Sequence, residues 1–261
     1  MRGGSVALLL CLASCGPRTT NLVSKRLCAE SAGFLDASTQ RPDVAAPSAL
    51  VLNGEAAAVD GVLRLIPALK NGVGSAYFRD SLAFDTTTSL FAHFAFRIGG
   101  GDGELGGDGL AFVLQSSAAG ANALGLGGEG LGCKAVTPSI AIDFDTVSNY
   151  SEPDSDHIGL SLNCDPAAPL AFAVTPPLND GVVRYVWIDY DGVSRELRVY
   201  MSNSRERPGA ASLTHAGLDF SSVLGDAAFV GFSASSGEAT NEHDVVGEAW
   251  FSPVAPGYCA E

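Results

Sequence analysis

The chain has 261 residues, enough for one domain of roughly 200–250 residues or two small ones. Apolar residues make up 46% and charged residues 17%, which excludes a disordered chain and supports a sizeable core. Fifteen basic against 29 acidic side chains leave a net charge of -14, which argues against nucleic acid as a partner, because phosphate binding needs clustered Lys and Arg. No internal apolar stretch is long enough to span a bilayer.

Residues 1–14 read as a signal peptide. Arg2 supplies the positive start, and Val6 to Ala13 form a short apolar run ending in small residues. The string Leu12-Ala-Ser-Cys15 resembles a bacterial lipobox, which implies lipidation of Cys15 and attachment to a membrane through that lipid. Gly16 rather than Asp follows the Cys, which points to the outer membrane or cell surface. An ordinary secretory leader with an incidental cysteine is the alternative. Residues 15–27 then form a polar tether, and 28–261 a single domain. Cys28, Cys133, Cys164 and Cys259 lie in that domain, an even number in an oxidising compartment, so disulfides are expected. Of the three pairings allowed, the preferred one joins Cys28 to Cys259, tying the domain ends, and Cys133 to Cys164. A zinc site is the rival, but it lacks a C-x-x-C or clustered histidines.

From about Ser48 onward the pattern has period two. Phe94, Phe96 and Ile98 alternate with His93, Ala95 and Arg97; Val186, Ile188 and Tyr190 alternate with Trp187 and Asp189; and Leu197, Val199 and Met201 alternate with Arg198 and Tyr200. The last two flank Asp191-Gly192 and predict a hairpin. Further strands are predicted at Leu50–Leu52, Val62–Ile66, Ser75–Phe78, Leu110–Leu114, Ile140–Asp145, Ile158–Leu162, Leu170–Val174, Ala228–Ala234 and Glu248–Phe251. Only Leu218–Leu224 suggests a helical turn. Many strands separated by Gly- and Pro-rich turns, with almost no helix, predict an all-β sandwich of two sheets. His93 and His215 are expected at the surface, His215 in a loop, and Trp187 and Trp250 in packing roles.

The most informative segment is Ile140-Ala-Ile-Asp-Phe-Asp-Thr-Val-Ser-Asn-Tyr-Ser-Glu-Pro-Asp-Ser-Asp-His157. On a strand, Asp143 and Asp145 share the face opposite Ile140, Ile142 and Phe144. Two neighbouring carboxylates repel, and burying them unpaired costs several kcal/mol, which a cation offsets. Asn149, Glu152, Asp154 and Asp156 add hard oxygen donors suited to Ca²⁺, and His157 adds an imidazole acceptable to a transition ion such as Mn²⁺. A solvated acidic loop after an edge strand is the alternative. Gly106-Gly-Asp-Gly109 forms a second constellation, in which glycines let a loop approach a ligand closely and Asp108 offers an acceptor. No G-K-[ST] follows, which disfavours a phosphate loop.

Together with Leu52-Asn-Gly-Glu-Ala56, Gly74-Ser-Ala-Tyr-Phe78, Gly107-Asp-Gly-Leu-Ala-Phe-Val-Leu-Gln115, Gly127-Gly-Glu-Gly-Leu-Gly132, His157-Ile-Gly159, Trp187-Ile-Asp-Tyr190 and Val230-Gly-Phe-Ser-Ala-Ser-Ser-Gly237, these segments resemble the legume-type (L-type) lectin family in order and spacing. The resemblance implies an antiparallel jelly-roll sandwich that binds glycans without turnover, at a shallow site organised by Ca²⁺ and a transition ion, usually Mn²⁺. By motif position it implies that Asp145 bridges both ions and that Asp143, where the family usually has Glu, and His157 bind the transition ion. The Val147 carbonyl and the Asn149 side chain would bind Ca²⁺. The shared carboxylate is Glu152 if Glu152-Pro153 matches the family's Asp-Pro, or Asp154 by counting forward from Asn149. Sugar contacts would come from Asp108, Asn149 and backbone amides around Gly128 to Gly130, with a cis peptide at Gly107–Asp108. The family's stacking ring is replaced by Val147, and Tyr150 is a candidate substitute. Two other readings remain: a jelly-roll glycoside hydrolase using Asp143 and Asp145, which lacks the third carboxylate at Val147 or Asn149, and an adhesion or structural domain that kept the scaffold but not the sugar affinity.

Overall fold

The computed structural model describes residues 49–101, 106–149, 152 and 154–252, apart from the side chains of Glu248 and Trp250. The leader, Cys15, the tether, the Cys28–Cys259 pair and Tyr150 lie outside the described residues.

Fifteen strands, β1 (Leu50–Gly54), β2 (Ala57–Val59), β3 (Val62–Ile66), β4 (Val73–Phe78), β5 (Leu82–Ala83), β6 (Leu90–Gly99), β7 (Gly109–Gln115), β8 (Ser139–Asp145), β9 (His157–Leu162), β10 (Pro169–Val174), β11 (Arg184–Asp191), β12 (Glu196–Ser202), β13 (Leu213–Ala216), β14 (Ala227–Ser235) and β15 (Glu242–Ser252), form two sheets among the described residues. The front sheet runs β1-β4-β14-β7-β8-β9-β10, with β5 on β14. The back sheet runs β13-β12-β11-β6-β15-β3-β2. Every pairing is antiparallel. This is the expected all-β jelly-roll sandwich, and the β11–β12 hairpin pairs Val186 with Met201 and Ile188 with Val199.

β2, β5 and β13 are too short to display alternation, so the sequence pattern does not reveal them. His215, expected in a loop, sits on β13 opposite Leu197. β15 starts at Glu242 rather than Glu248; register shifts after His243 and Val246 break its alternation and hide its first half. The one α-helical turn among the described residues, α1 (Phe220–Leu224), is capped by Asp219, whose carboxylate accepts from the Ser222 N–H. His93 is half-buried, its ring stacked on Trp187 with centroids 4.8 Å apart.

Alternation explains the core. Phe94 and Phe96 project from the back sheet onto Phe112, Phe144 and Phe232 of the front sheet, with Phe94–Phe232 centroids 5.0 Å apart and Phe96–Phe144 4.7 Å apart. β7 and β8 are buried on both faces. Their outer face carries Ala111, Val113 and Ala141, which pack with Tyr77 under a second apolar cluster of Ala121, Ala123, Leu131 and Val136. Cys133 and Cys164 pair within this layer, Cα atoms 5.7 Å apart, as preferred from the sequence. The bond ties the segment after β7 to the turn after β9.

On the outer side of the back sheet, Arg64 and Arg97 converge on the buried Asp244 at 2.8 and 2.6 Å. Burial alone would push Asp244 up, but the two guanidiniums hold it below the usual carboxylate range. The preceding His243 is fully buried, its Nδ1 3.1 Å from the Asn241 carbonyl. Burial lowers its pKa to about 4, against the opposing pull of the Asn241 carbonyl and the Asp244 charge.

Replacing Cys133 and Cys164 together by Ser opens a loop of 31 residues and should lower unfolding free energy by about 3 kcal/mol in urea titrations. His243 is protonated in the unfolded chain below its ordinary value and in the folded chain only near 4, so its stabilising contribution is complete above about pH 6.5 and lost as pH falls toward about 4. Urea titrations across that window should show His243→Gln losing less stability than the parent chain, by up to roughly 3 kcal/mol.

Candidate functional site

The site lies on the outer face of the front sheet, where β7, β8, β9 and β10 stand side by side. One row across the sheet reads Gly109, Asp145, His157 and Val174; the next reads Ala111, Asp143, Gly159 and Phe172. Period-two geometry thus brings Asp143, Asp145 and His157 to one face, and one ligand atom from each lies within 4.8 Å of the others. All three are buried. His157 Nε2 is 3.8 Å from Asp143 Oδ2. Gly159 leaves room for this arrangement, because a methyl group on it would sit 2.1 Å from the same Oδ2 and displace the Asp143 carboxylate.

The electrostatics are those of crowded, desolvated anions. Burial pushes Asp143 up to about 6, with His157 opposing and the Glu152 charge adding to the rise. Asp145 is raised well above the ordinary value by burial first and by the Asp143 charge second. Glu152 is raised by burial, against a hydrogen bond from the Asn149 N–H. It lines a small cavity with Asp143, His157, Gly159 and Phe172. Asp154 is exposed, and its carboxylate accepts from the Ser155 N–H. Its carbonyl lies 3.1 Å from His157 Nδ1, which leaves Nε2 directed at Asp143. A carbonyl on the far nitrogen of a ligating imidazole is a common arrangement at metal centres.

Past the end of β8 the chain turns. The Val147 N–H donates to Asp145 Oδ1 at 2.8 Å, and the Asn149 amide donates to the Val147 carbonyl at 3.2 Å. The Val147 carbonyl and Asn149 side chain are therefore neighbours, directly beyond Asp145. Hard carboxylate, carbonyl and amide oxygens beside one imidazole form a donor set that fits Ca²⁺ with a borderline transition ion.

Asp108 sits before β7, 8% exposed, with Oδ2 lacking any hydrogen-bond partner. Burial raises its pKa to about 6, and the Glu129 charge adds to the rise. Methyl groups built on Gly237 and Gly128 would lie 3.2 and 4.0 Å from Oδ2, so glycines leave that oxygen room. The Ser235 hydroxyl holds the Gly128 carbonyl at 2.6 Å. Gly130 is placed differently: its N–H donates to the Gly127 carbonyl, and its flank faces Leu126 and Lys134.

The expected cis peptide at Gly107–Asp108 is not found; among the described residues only Thr137–Pro138 is cis. The chain reverses instead with Asp108 at φ 26° and Gly109 at φ 139°, closed by the Gly109 N–H on the Gly107 carbonyl. The Asn241 side chain accepts from the Gly107 N–H at 2.9 Å, and the Thr146 N–H donates to the Asp108 carbonyl at 2.9 Å.

Asp108, Thr146, Val147, Asp156, Asp180 and Glu238 are among the residues lining an open cleft of about 1120 Å³. Sequence reasoning missed Gly159, Asn241, Ser235 and the Asp154 carbonyl. Gly159 and Ser235 lie inside motifs that carry the family resemblance, and strand pairing alone would have aligned Gly159 with Asp143.

Known proteins share this architecture. The legume lectin domain family matches residues 43–252. The L-type lectin-domain containing receptor kinase I.8 of Arabidopsis thaliana is 30% identical over 206 residues, 72% of this chain and 31% of that protein. Receptor kinase VIII.1 of the same plant is 29% identical over 221 residues, 78% of this chain and 30% of that protein. The chain thus spans about a third of the length of these relatives. Among solved structures, basic winged bean lectin with Tn-antigen superposes with a TM-score of 0.66 at 26% identity, covering 80% of this chain and 94% of that one. The metal-free form of lectin I-B4 from Griffonia simplicifolia gives 0.64 at 25%, covering 79% and 94%. With both sheets and nearly the whole described chain inside the match, this protein belongs to the legume lectin domain family.

Proposed function

We propose that this protein is a metal-dependent lectin that binds glycans without chemical turnover. The observation that carries the reading is the buried Asp143–Asp145–His157 group lying one strand from Asp108, a residue at the edge of the open cleft whose buried Oδ2 has no hydrogen-bond partner. Asp143, Asp145 and His157 hold a transition ion; Asp145, the Val147 carbonyl and Asn149 hold Ca²⁺. Glu152 is the shared carboxylate, a choice supported by its place beside Asp143 and His157, whereas Asp154 faces solvent. When bound, the ions neutralise these carboxylates and pin the chain beyond β8. Asp108 accepts hydrogen bonds from sugar hydroxyls, Asn149 donates from its amide, and Gly128 permits close approach of the ring. Val147 offers no stacking ring, and Tyr150 is the candidate to supply one. For localisation, the leader and the Leu12-to-Cys15 string support export and a lipid anchor at Cys15, at the outer membrane or cell surface.

Adding Ca²⁺ and Mn²⁺ to chelator-treated protein should raise the thermal midpoint, and Asp145→Asn should remove most of that rise. Because the ions compete with protons held at a carboxyl of about 6, the rise should shrink as pH drops from about 7.5 to about 5. A midpoint indifferent to both ions at neutral pH would contradict the metal assignment.

On a glycan array, binding should vanish with chelator. Asp108→Ala and Asn149→Ala should each weaken it roughly 10- to 100-fold, the loss expected for a hydrogen bond to a charged or fixed partner. Metal response without any glycan response would favour the adhesion or structural reading, and release of reducing ends from a polysaccharide would favour the hydrolase.

A further inference from the structure

Asp108 sits where two crossings between the sheets run side by side. Residues 100–108 carry the chain from β6 in the back sheet to β7 in the front sheet, and residues 236–241 carry it from β14 in the front sheet to β15 in the back sheet. Their ends are paired, Gly99 with Glu242 and Gly109 with Ser235. Between those pairs the two backbones touch. A methyl group on Gly101 would lie 1.9 Å from the Thr240 carbonyl oxygen, and one on Gly107 would lie 2.9 Å from both the Ala239 carbonyl oxygen and the Asn241 nitrogen. Glycine permits so close an approach.

Asn241 is fully buried between the crossings, and its side chain bonds the first of them near both ends. Nδ2 donates to the Gly100 carbonyl at 2.7 Å, and Oδ1 accepts from the Gly107 N–H at 2.9 Å. The Asn241 carbonyl lies 3.1 Å from Nδ1 of the buried His243, so the backbone that presents this amide is itself held. Gly107 is buried and directly precedes Asp108, which adopts φ 26°. A non-glycine residue in that region keeps its conformation only when its neighbours fix it. Removing the Asn241 amide would take the acceptor from a buried N–H at the base of that turn.

We propose that Asn241 is a positioning residue of the sugar site. By tying Gly100 and Gly107 it holds the turn that presents the Asp108 carboxylate to sugar hydroxyls. At 0% exposure it cannot touch a glycan itself, and its side-chain partners, Gly100 and Gly107, are not among the residues assigned to hold the ions. It therefore sets affinity through Asp108. The inference rests on the lectin reading and adds to that binding face a residue outside it, at the start of a back-sheet strand.

The test is glycan-array titration of the full chain loaded with Ca²⁺ and Mn²⁺, on galactose-, N-acetylgalactosamine-, glucose-, mannose- and fucose-terminated glycans. It compares the parent, Asn241→Ala, Asp108→Ala and the double variant. Asn241→Ala should weaken binding about tenfold and keep the parent's thermal response to the ions. The double variant should bind no more weakly than Asp108→Ala, because a residue acting through that carboxylate has no further effect once it is gone. Asn241→Asp is isosteric and still accepts from the Gly107 N–H, so it should recover part of the loss; it carries the test should Asn241→Ala fail to fold. Parent-like affinity in Asn241→Ala, additive losses in the double variant, no recovery in Asn241→Asp or a lost ion response each overturns the proposal and leaves the lectin reading standing. Fast hydrogen exchange of the Gly107 amide in the parent would overturn it without any variant. Unchanged binding in Asp108→Ala removes the assigned sugar contact and this inference with it, and a silent array for the parent removes the lectin reading as well.

Discussion

Everything at the functional face depends on anions forced together by strand geometry. Asp143 and Asp145 occupy same-face positions on β8, and β9 places His157 opposite Asp145. Burial raises both carboxyls, with the Glu152 charge adding to the rise at Asp143 and the Asp143 charge adding to it at Asp145, so ionising them costs free energy. For Asp143, a rise from 3.8 to about 6 corresponds to on the order of 3 kcal/mol. The sign is opposite to that of a salt-bridged carboxylate: the metal-free folded state is favoured below the unfolded value and loses that advantage as pH rises through about 6. A divalent cation bound there, as proposed above, would reverse the balance and link metal affinity to folding free energy at the same residues.

Such a cluster is tolerated only because the scaffold around it is over-determined. The inner face of β8 is locked by Ile142 and Phe144 in the aromatic core, and the strand is buried on both faces. Above the sheet, the Cys133–Cys164 bond and the second apolar cluster fix the segment that carries Gly128. Asn241 reaches from the back sheet to hold the Gly107 N–H, so the Asp108 turn is supported from both layers of the sandwich. This turn uses a non-glycine residue at positive φ, a conformation of modest strain for Asp, and the hydrogen bonds on either side of it are what maintain it.

Much of this was legible in the sequence, for a physical reason. Period-two alternation is strong where one face meets a core, so β6, β8, β11 and β12 and the shared face of Asp143 and Asp145 could be read directly. The parts that were not legible depend on pairings between distant segments. The choice between Glu152 and Asp154 turns on which carboxylate folds back toward His157, and no spacing rule encodes that. Gly159 matters only because pairing sets it beside Asp143, and Asn241 only because β15 runs next to β6. The cis peptide expected before Asp108 came from resemblance, and the chain makes its reversal there by other dihedrals. Gly130 carried the same kind of expectation, yet its amide is spent on the Gly127 carbonyl within a turn.

The four residues from Asp154 to His157 tie the two halves of the site together. The Asp154 carbonyl orients the His157 ring, and Asp156, one residue before His157, anchors residues 175–178 through its carbonyl and its carboxylate. Any cation that fixes His157 therefore also fixes the backbone from which the far wall of the cleft hangs. Asp145 pairs with Gly109, the residue after Asp108, and His157 follows Asp156, so both Asp108 and Asp156 adjoin the Asp143–Asp145–His157 cluster. A cation bound at that cluster, as proposed above, would order both neighbouring segments without a conformational switch, by adjacency along two short pieces of chain.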